Sequence, residues 1–387
     1  MSRTRRDIFV KGLGNLYVRE TFPTEADDFS DVGFLGETKF SDIYDIEDIR
    51  DERGFLINSL EKGQMVSITS QLLQSSKEQI DFMKDAKTQY HSLRYFGIER
   101  SNLFKYFAFD IARIIPGAEM EFKPALRRIQ LKANALKQQE LTFDVPMYYI
   151  LETQKEMRIV NLQFWADPRQ GLNYSNSKIL DVSGFGRHGT VSSDFATIWQ
   201  TSATPTYFLR LDGTNDDISY GNVLNVNDTK DFAFEMWVRI KGADASLQEI
   251  FSKKTDDTDG SIGYRLERTA ANKIEFKISD GTNTATVVTS ASVLVDTWKK
   301  IGLYADRNGN AQLFLNGVAD GSAVDISGVT GDLTNAVDLV VGKLSTGFGQ
   351  IDVGAFRWYT YGAASLPSDF ATIDADHFTA ERSYYGV

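Results

Sequence analysis

The segment Asp231–Ile240, DFAFEMWVRI, decides the fold class of the C-terminal part of this chain. Large apolar residues occupy every second position, and charged residues stand between them at Glu235 and Arg239. A period of two is that of a β-strand that buries one face. A face this apolar needs a second sheet to pack against, so the segment predicts a β-sandwich. The apolar residues of this face are Phe232, Phe234, Met236 and Val238.

The same pattern continues on both sides of this segment. Short runs of alternating residues recur at regular intervals, and turn pairs such as Asp-Gly and Asn-Gly separate them. About a dozen such strands in about 200 residues predict a jelly-roll β-sandwich. Examples are FLRLDG (208–213), IGYRLER (262–268), NKIEFKISDG (272–281) and VGAFRWYT (353–360).

The composition changes near residue 165. The earlier residues are rich in Arg, Lys, Gln, Leu and Ile, whereas Gly, Asp, Asn, Thr and Ser dominate after it. The segment Trp165–Ser177, WADPRQGLNYSNS, contains Pro, Gly and small polar residues, which are typical of a junction. We therefore predict a domain over 1–165 with an N-terminal arm, and a sandwich over 166–387 that ends in a short C-terminal tail.

The first part mixes strand and helix patterns. Alternation over 63–73 predicts a strand, and capping-box spacing of Ser75 and Glu78 then opens an amphipathic helix that extends to Leu93. The segment 125–139, ALRRIQLKANALKQQ, fits either a strand or a helix, and we favour the strand. This part is therefore predicted to be a mainly β domain with one helix.

Bulk composition excludes several classes of protein. The chain has no Cys, so disulfides, thiolate metal sites and cysteine nucleophiles are excluded, and a reducing compartment is expected. The first 165 residues carry 23 Lys+Arg and 25 Asp+Glu, and the remainder carries 19 and 28, so neither part is a basic nucleic-acid binder. The N-terminal residues lack the apolar core of a signal peptide. The sequence has no run of 18 apolar residues, so we expect no membrane-spanning helix.

Six segments in order resemble the laminin-G-like, concanavalin A-like lectin superfamily. The resemblance covers about 165–365 and implies a jelly-roll sandwich that binds carbohydrate or protein. Glycanases of this superfamily carry paired carboxylates on one strand, whereas Asp231–Ile240 offers only Glu235. The segments are LDVSGFGRHGTV (180–191), FLRLDGTNDDISYG (208–221), DFAFEMWVRI (231–240), DTWKKIGLYADRNGNAQLFLNGV (296–318), LVVGK (339–343) and GQIDVGAFRWYT (349–360).

The same resemblance makes Asp181 the candidate calcium ligand, since members of this superfamily that bind calcium use the acid of this loop. Further acids stand in turns, but none has the spacing of an EF-hand loop, so solvated turn acids are the alternative interpretation. Four rings are either core residues or surfaces for stacking on sugars. The further acids are Asp212, Asp216, Asp217, Asp256, Asp257 and Asp259, and the rings are Trp199, Tyr220, Trp358 and Tyr359.

Residues 30–160 resemble, at the level of pattern, a phage tail tube subunit. The elements in order are GFLGETKFSDI (33–43), an acidic loop region, EKGQMVSITSQLLQSS (61–76), one helix, and closing strands over 127–150. The resemblance implies a β-sandwich or barrel that assembles into rings, hexameric in this family, around a channel for DNA and the tape measure protein. The sandwich would then decorate the outside of the tube, with a host-surface glycan as its candidate ligand.

No catalytic motif is present, and we expect no enzyme and no cofactor beyond the candidate calcium. HExxH, GxSxG and Walker A patterns are all missing, and the three His are His91, His188 and His377. Two functions remain. The first is a structural protein of a virion tail, assembled in the host cytoplasm by self-association. The alternative is a carbohydrate-binding surface or virion adhesion protein that is not part of a tube.

Overall fold

The structure is a computed structural model of the chain. It describes residues 2–10, 14–20, 30–35, 38–50, 56–72, 91–98, 104–123, 126–135, 149–153, 162–168, 178–193, 195–227, 230–243, 245–344, 347–361 and 370–387. The chain forms two compact units, Met1–Glu156 and Met157–Val387. The fold is mainly β, and no described helix is long and apolar enough to cross a membrane.

The N-terminal unit contains one nine-stranded antiparallel sheet. The order is β1-β4-β5-β3-β2-β6-β7-β8, with β9 on β7, and β8 pairs again with β5. Six strands therefore form a closed circuit, from which β1, β4 and β9 extend. The strands are β1 Ser2–Val10, β2 Gly14–Glu20, β3 Ser30–Leu35, β4 Thr38–Arg50, β5 Leu56–Leu72, β6 His91–Ile98, β7 Phe104–Lys123, β8 Leu126–Ala135 and β9 Tyr149–Thr153.

The strand predictions at 63–73 and 125–139 are confirmed by β5 and β8. Two other predictions for this unit were wrong. The acidic loop region contains β4, which pairs with β5 from Lys39↔Thr69 to Arg50↔Leu56. The helix does not extend to Leu93, because His91–Ile98 pairs with β2 and β7 as a strand. The body of the predicted helix, 75–90, lies outside the described residues.

Two eight-stranded antiparallel sheets form the C-terminal unit. Sheet I has the order β13-β14-β27-β16-β21-β22-β23, with β10 on β27, and sheet II has the order β11-β12-β15-β24-β17-β18-β19-β20. Sheet I comprises β10 Leu162–Ala166, β13 Trp199–Thr201, β14 Tyr207–Asp212, β16 Asp231–Ile240, β21 Trp298–Ala305, β22 Asn310–Leu315, β23 Val318–Asp325 and β27 Gln350–Tyr361.

Sheet II comprises β11 Lys178–Ile179, β12 Gly189–Val191, β15 Ile218–Ser219, β17 Gln248–Lys254, β18 Gly263–Arg268, β19 Ile274–Ser279, β20 Thr284–Val288 and β24 Val340–Val341. A small hairpin joins β25 Lys343–Leu344 to β26 Gly347–Phe348, and two helices complete the unit, α1 Phe195–Ile198 and α2 Phe370–Tyr385. This is the predicted sandwich.

The sandwich core lies between the two sheets. The four apolar residues predicted from Asp231–Ile240 are all fully buried in it. Trp358 stacks on Phe232 with ring centroids 4.9 Å apart, and Tyr264 of sheet II stacks on Trp358 at the same separation. The period-two pattern therefore identified the inward face of β16 correctly.

Two boundaries differ from the sequence prediction. The predicted division at 165/166 falls inside β10, and the pairing of Trp165 with Arg357 joins β10 to β27 of the C-terminal unit. The predicted short tail contains the 16-residue helix α2, which packs on sheet I.

Candidate functional site

Asp181 organises the loop in which the sequence places it. The side chain is fully buried, and its Oδ1 accepts hydrogen bonds from the backbone N–H groups of Trp165 (3.0 Å) and Ser183 (2.9 Å). Its Oδ2 accepts from the Ser183 hydroxyl (2.8 Å) and from the Arg187 N–H (3.0 Å). The carboxylate thus ties β10 to the following loop, and calcium at Asp181 stays a prediction.

Three of the other candidate calcium ligands, Asp212, Asp216 and Asp256, hold turns. Asp212 Oδ1 accepts from the Thr214 N–H (2.7 Å), and Asp216 Oδ2 accepts from the Asp212 N–H (3.1 Å). Asp256 Oδ1 accepts from the N–H and the hydroxyl of Thr258. Among the residues that the structure describes, no group of three or more His, Cys, Asp or Glu side chains could hold a metal ion.

Helix α2 covers the outer face of sheet I. Glu235 of β16, Lys300 of β21 and Arg357 of β27 point to this face, and all three are buried. Glu235 contacts Lys300 Nζ at 3.4 Å and an Arg357 guanidinium nitrogen at 3.4 Å. Three strands therefore place one acid between two cations.

Three charged or titratable side chains of α2 complete this group. Asp374 pairs with Lys300, Glu381 pairs with Arg357, and His377 Nδ1 lies 2.8 Å from Glu235 Oε2. Burial would raise the pKa of Glu235, but His377, then Lys300 and Arg357, reverse that effect and bring it to about 2. Buried charges are tolerated in a protein when they are paired in this way.

Aromatic contacts fix the same helix. Tyr385 stacks on Trp237 with ring centroids 4.1 Å apart, and the Trp237 indole N–H donates to Glu381 Oε2 at 2.7 Å. Gly302 and Gly354 allow this approach, because a Cβ at either position would lie within 2.5 Å of Asp374 Oδ1 or the Tyr385 hydroxyl. Glycine in a strand commonly marks such a close approach. The outer face of sheet I is thus closed by the chain itself.

Sheet II presents a polar row on its outer face. Register pairs connect one residue from each of its eight strands, and seven of the eight are polar or charged. The two threonines near the ends are exposed, whereas Ser252 and Arg265 are buried. In order, the row is Lys178, Thr190, Ser219, Val340, Ser252, Arg265, Lys277 and Thr286.

A second row on this face consists of carboxylates. Glu249 of β17 pairs in register with Glu267 of β18, which pairs with Glu275 of β19. Lys277 Nζ lies 2.6 Å from Glu275 and 3.3 Å from Glu267, and Arg265 Nε lies 3.1 Å from Glu267. The row therefore has its cations beside Glu267 and Glu275, at some distance from Glu249.

Glu249 is the unusual member of this row. It is 4% exposed, and its Oε2 has no hydrogen-bond partner among the described residues. Burial first, and then the charge of Glu267, raise its pKa to about 8, against the opposing effects of Arg265 and Lys277. A buried acid with a perturbed pKa beside a second acid is typical of functional sites.

Two surface segments border the centre of this face. The loop between β17 and β18 folds over it, since Lys254 Nζ donates to the Asp259 carbonyl (2.9 Å) and an Arg265 nitrogen donates to the Asp257 carbonyl (2.9 Å). The β25–β26 hairpin packs against β17 on the other side. Burial and the charge of Arg265 lower the pKa of Lys254 to about 8.

The structure resolves the open questions about rings and histidines in the C-terminal unit. Trp358, Tyr359 and Tyr220 are buried, so these three rings are not available for stacking on sugars, whereas Trp199 is half-buried. His188 accepts from the Asp181 N–H through Nδ1 (3.1 Å), and His377 belongs to the charged group under α2.

Sequence reasoning missed the carboxylate row. A signal was present, because outward positions of QEIFSKK (248–254), YRLER (264–268) and IEFKIS (274–279) carry alternating charges. The register that places them side by side is not a property of any single strand. A β-bulge between Glu249 and Phe251 also shifts the period in β17, which hides the alignment.

Comparisons with known proteins agree with this fold. Residues 212–357 match the family model Laminin_G_3, described as the Concanavalin A-like lectin/glucanases superfamily. The C-terminal unit is therefore similar to this superfamily over these residues. No curated protein matches the chain.

Several solved structures resemble the chain. The binding domain of Paraclostridial Mosquitocidal Protein 1 has a TM-score of 0.44 at 15% identity, over 57% of this chain and 52% of that one. The botulinum neurotoxin serotype G binding domain has a TM-score of 0.44 at 18% identity, over 58% and 52%. The serotype D ligand binding domain in complex with N-acetylneuraminic acid has 0.42 at 14%, over 56% and 51%. The chain spans about half the length of each of these structures.

Proposed function

We propose that this chain is a carbohydrate-binding adhesion protein whose C-terminal sandwich binds a glycan through the outer face of sheet II. The observation that carries the proposal is the contrast between the two outer faces. Helix α2 closes the outer face of sheet I with buried ion pairs, whereas that of sheet II presents a row with polar residues from seven of its eight strands. The role is one of binding, with no catalytic step.

The chemistry of this face suits a sugar. The polar row offers hydroxyl and cationic groups and the second row offers carboxyl groups. A sugar hydroxyl both donates and accepts hydrogen bonds. Binding sites for small ligands use a few convergent polar groups to fix orientation. The match of residues 212–357 to a lectin and glucanase superfamily supports the same class of ligand.

Substitutions near the two ends of the row test this proposal. In the Thr190→Glu/Thr286→Glu double variant, we expect glycan affinity to fall at least about tenfold. The added charge and bulk would disturb the packing of the glycan against the outer face of sheet II. Both threonines are exposed, so the fold should be preserved. Glycan-array screening of the full chain, followed by calorimetry on the best glycan, measures the effect.

Thr372→Glu is the matched control. Thr372 is also exposed, but it lies on α2, which covers sheet I. Equal affinity of the double variant and the control would contradict binding at sheet II. Failure of the full chain to bind any glycan would contradict the proposed function itself.

A second candidate function, a subunit of a phage tail tube in the virion tail, is supported by the N-terminal unit. Its closed circuit of six strands fits a barrel, and among the described strands β1 pairs only with β4 and β9 only with β7. Open strand edges invite pairing with further copies. Tube or ring assembly would place the lectin-like domain on the outside of the tube.

Assembly gives a direct test of this second candidate. Negative-stain microscopy of the purified chain at high concentration should show rings or tubes with peripheral density. A monodisperse monomer in light scattering over the same concentration range would contradict the tube subunit and favour the adhesion protein.

A further inference from the structure

The centre of the outer face of sheet II contains polar atoms that the described chain leaves without partners. Glu249 Oε2 and Ser252 Oγ have no hydrogen-bond partner among the described residues, and each side chain belongs to a residue only 4% exposed. Arg265 Nε lies 3.1 Å from Glu267 Oε2 but is not aligned for a hydrogen bond. Buried polar groups normally have partners, so this concentration needs an explanation.

The register brings these groups together. Glu249 pairs with Glu267 and Ser252 pairs with Arg265, on two adjacent strands and on one face. Such neighbours lie about 5 Å apart across strands and roughly 7 Å apart along a strand. The four side chains therefore mark the corners of a small polar patch at the middle of the sheet.

We propose that Glu249, Ser252, Arg265 and Glu267 form a subsite that binds neighbouring hydroxyl groups of a neutral sugar. This inference depends on the proposed function and specifies its ligand. Ser252 can donate and accept, and Arg265 Nε can only donate. Carboxyl oxygens of Glu249 and Glu267 supply the remaining contacts, so the patch offers both kinds of partner that a pair of hydroxyls requires.

A neutral ligand is favoured because the nearby cations already have acidic or carbonyl partners. The Arg265 terminal nitrogens donate to the Asp257 carbonyl and to Asp259 Oδ1, at 2.9 and 3.0 Å. Lys277 Nζ lies within 3.3 Å of carboxylates of Asp259, Glu267 and Glu275. A sugar carboxylate such as that of N-acetylneuraminic acid would meet the Glu267 carboxylate, and like charges repel at such range.

Two bordering segments explain the burial of the patch. Gly349 allows the residue after the β25–β26 hairpin to lie close to β17, since a Cβ on it would lie 1.9 Å from the Glu249 carbonyl oxygen. The loop over 255–262 covers the other side through its bonds to Lys254 and Arg265. In the proposed subsite a sugar edge lies between these segments, and its hydroxyls would supply the missing partners.

Ser252→Ala in the full chain tests the subsite. The Ser252 hydroxyl has no partner to lose in the described chain, so stability should stay the same or rise. Loss of one hydrogen bond to the ligand should weaken binding about five- to tenfold. Ser183→Ala is the matched control, because this buried hydroxyl lies in the Asp181 loop, where it donates to Asp181 Oδ2 (2.8 Å) and accepts from the Phe185 N–H (3.3 Å). It should lower stability and leave affinity unchanged.

The ligand class is tested on an array that presents neutral oligosaccharides beside their sialylated forms, such as lactose and 3′-sialyllactose. The neutral member of a pair should bind. The added N-acetylneuraminic acid should abolish or strongly weaken binding wherever it occupies the edge of the sugar that contacts the subsite. Preference for sialylated members would overturn the neutral ligand.

The outcomes separate the subsite from the proposed function. A chain that binds no glycan overturns both. Glycan binding that Ser252→Ala leaves unchanged overturns the subsite alone, as does a crystal structure of the complex in which only a water molecule contacts Glu249 and Ser252.

Discussion

Arg357→Leu is expected to lower the free energy of unfolding of the C-terminal unit by about 3–5 kcal/mol, since removing one partner leaves the other buried charges uncompensated. Arg357 is 2% exposed and lies between Glu235 of β16 and Glu381 of α2. Without it, Glu381 loses its cation, and the remaining group under α2 has an excess of acid.

Urea denaturation followed by tryptophan fluorescence measures this effect in the right unit. All five Trp residues lie after residue 156, so their emission reports on the C-terminal unit alone. The same experiment on Lys241→Met is the control. Lys241 and Asp296 form an ion pair in which Asp296 is well exposed, and such pairs contribute about 0–1 kcal/mol. Losses of similar size in the two variants would show that the group under α2 does not hold the helix.

The sequence predicted the inward face of β16 but not the partners of its outward face. Phe232 and Phe234 were assigned to the core from a period of two, which needs no knowledge of other strands. Glu235 was seen as an outward acid without a partner two residues away. Its partners, Lys300 and Arg357, come from strands that are distant in sequence and become neighbours only through register.

Helix α2 was missed for a related reason. Its buried positions include Asp374, His377 and Glu381, so the side that faces sheet I is polar between its aromatic ends. A search for an apolar stripe at helical spacing fails on such a helix. Its burial depends on complementary charges that β16, β21 and β27 supply. The sequence of the helix alone does not reveal those partners.

Glu249→Gln is expected to stabilise the C-terminal unit at pH 9 by about 1–3 kcal/mol, because it removes a buried carboxyl that is costly to ionise. The pKa of Glu249 in the folded chain is about 8, above the usual range of a Glu side chain. Its contribution to stability is therefore fully present below about pH 4.3, the value for an unfolded Glu. That contribution is lost progressively as the pH rises through 8.

The dependence on pH distinguishes this effect from a change in packing. Burial raises the pKa of Glu249 first and the charge of Glu267 second, while Arg265 and Lys277 oppose and Asp257 adds to the shift. Gln is neutral at every pH, so the difference between variant and parent should be small at pH 4 and should grow until about pH 8. Urea denaturation at pH 4, 6 and 9, followed by tryptophan fluorescence, measures it.

Asp325→Asn gives a comparison of the opposite sign. Hydrogen bonds from the side chain and backbone of Ser327 lower the pKa of Asp325, so its contribution to stability is present above the usual range of an Asp and disappears in acid. That variant should lose stability at pH 6 and 9 relative to the parent. A Glu249→Gln variant whose stability differs from the parent by the same amount at all three pH values would mean that Glu249 is already ionised at neutral pH, and the charge of the patch would then have to be assigned anew.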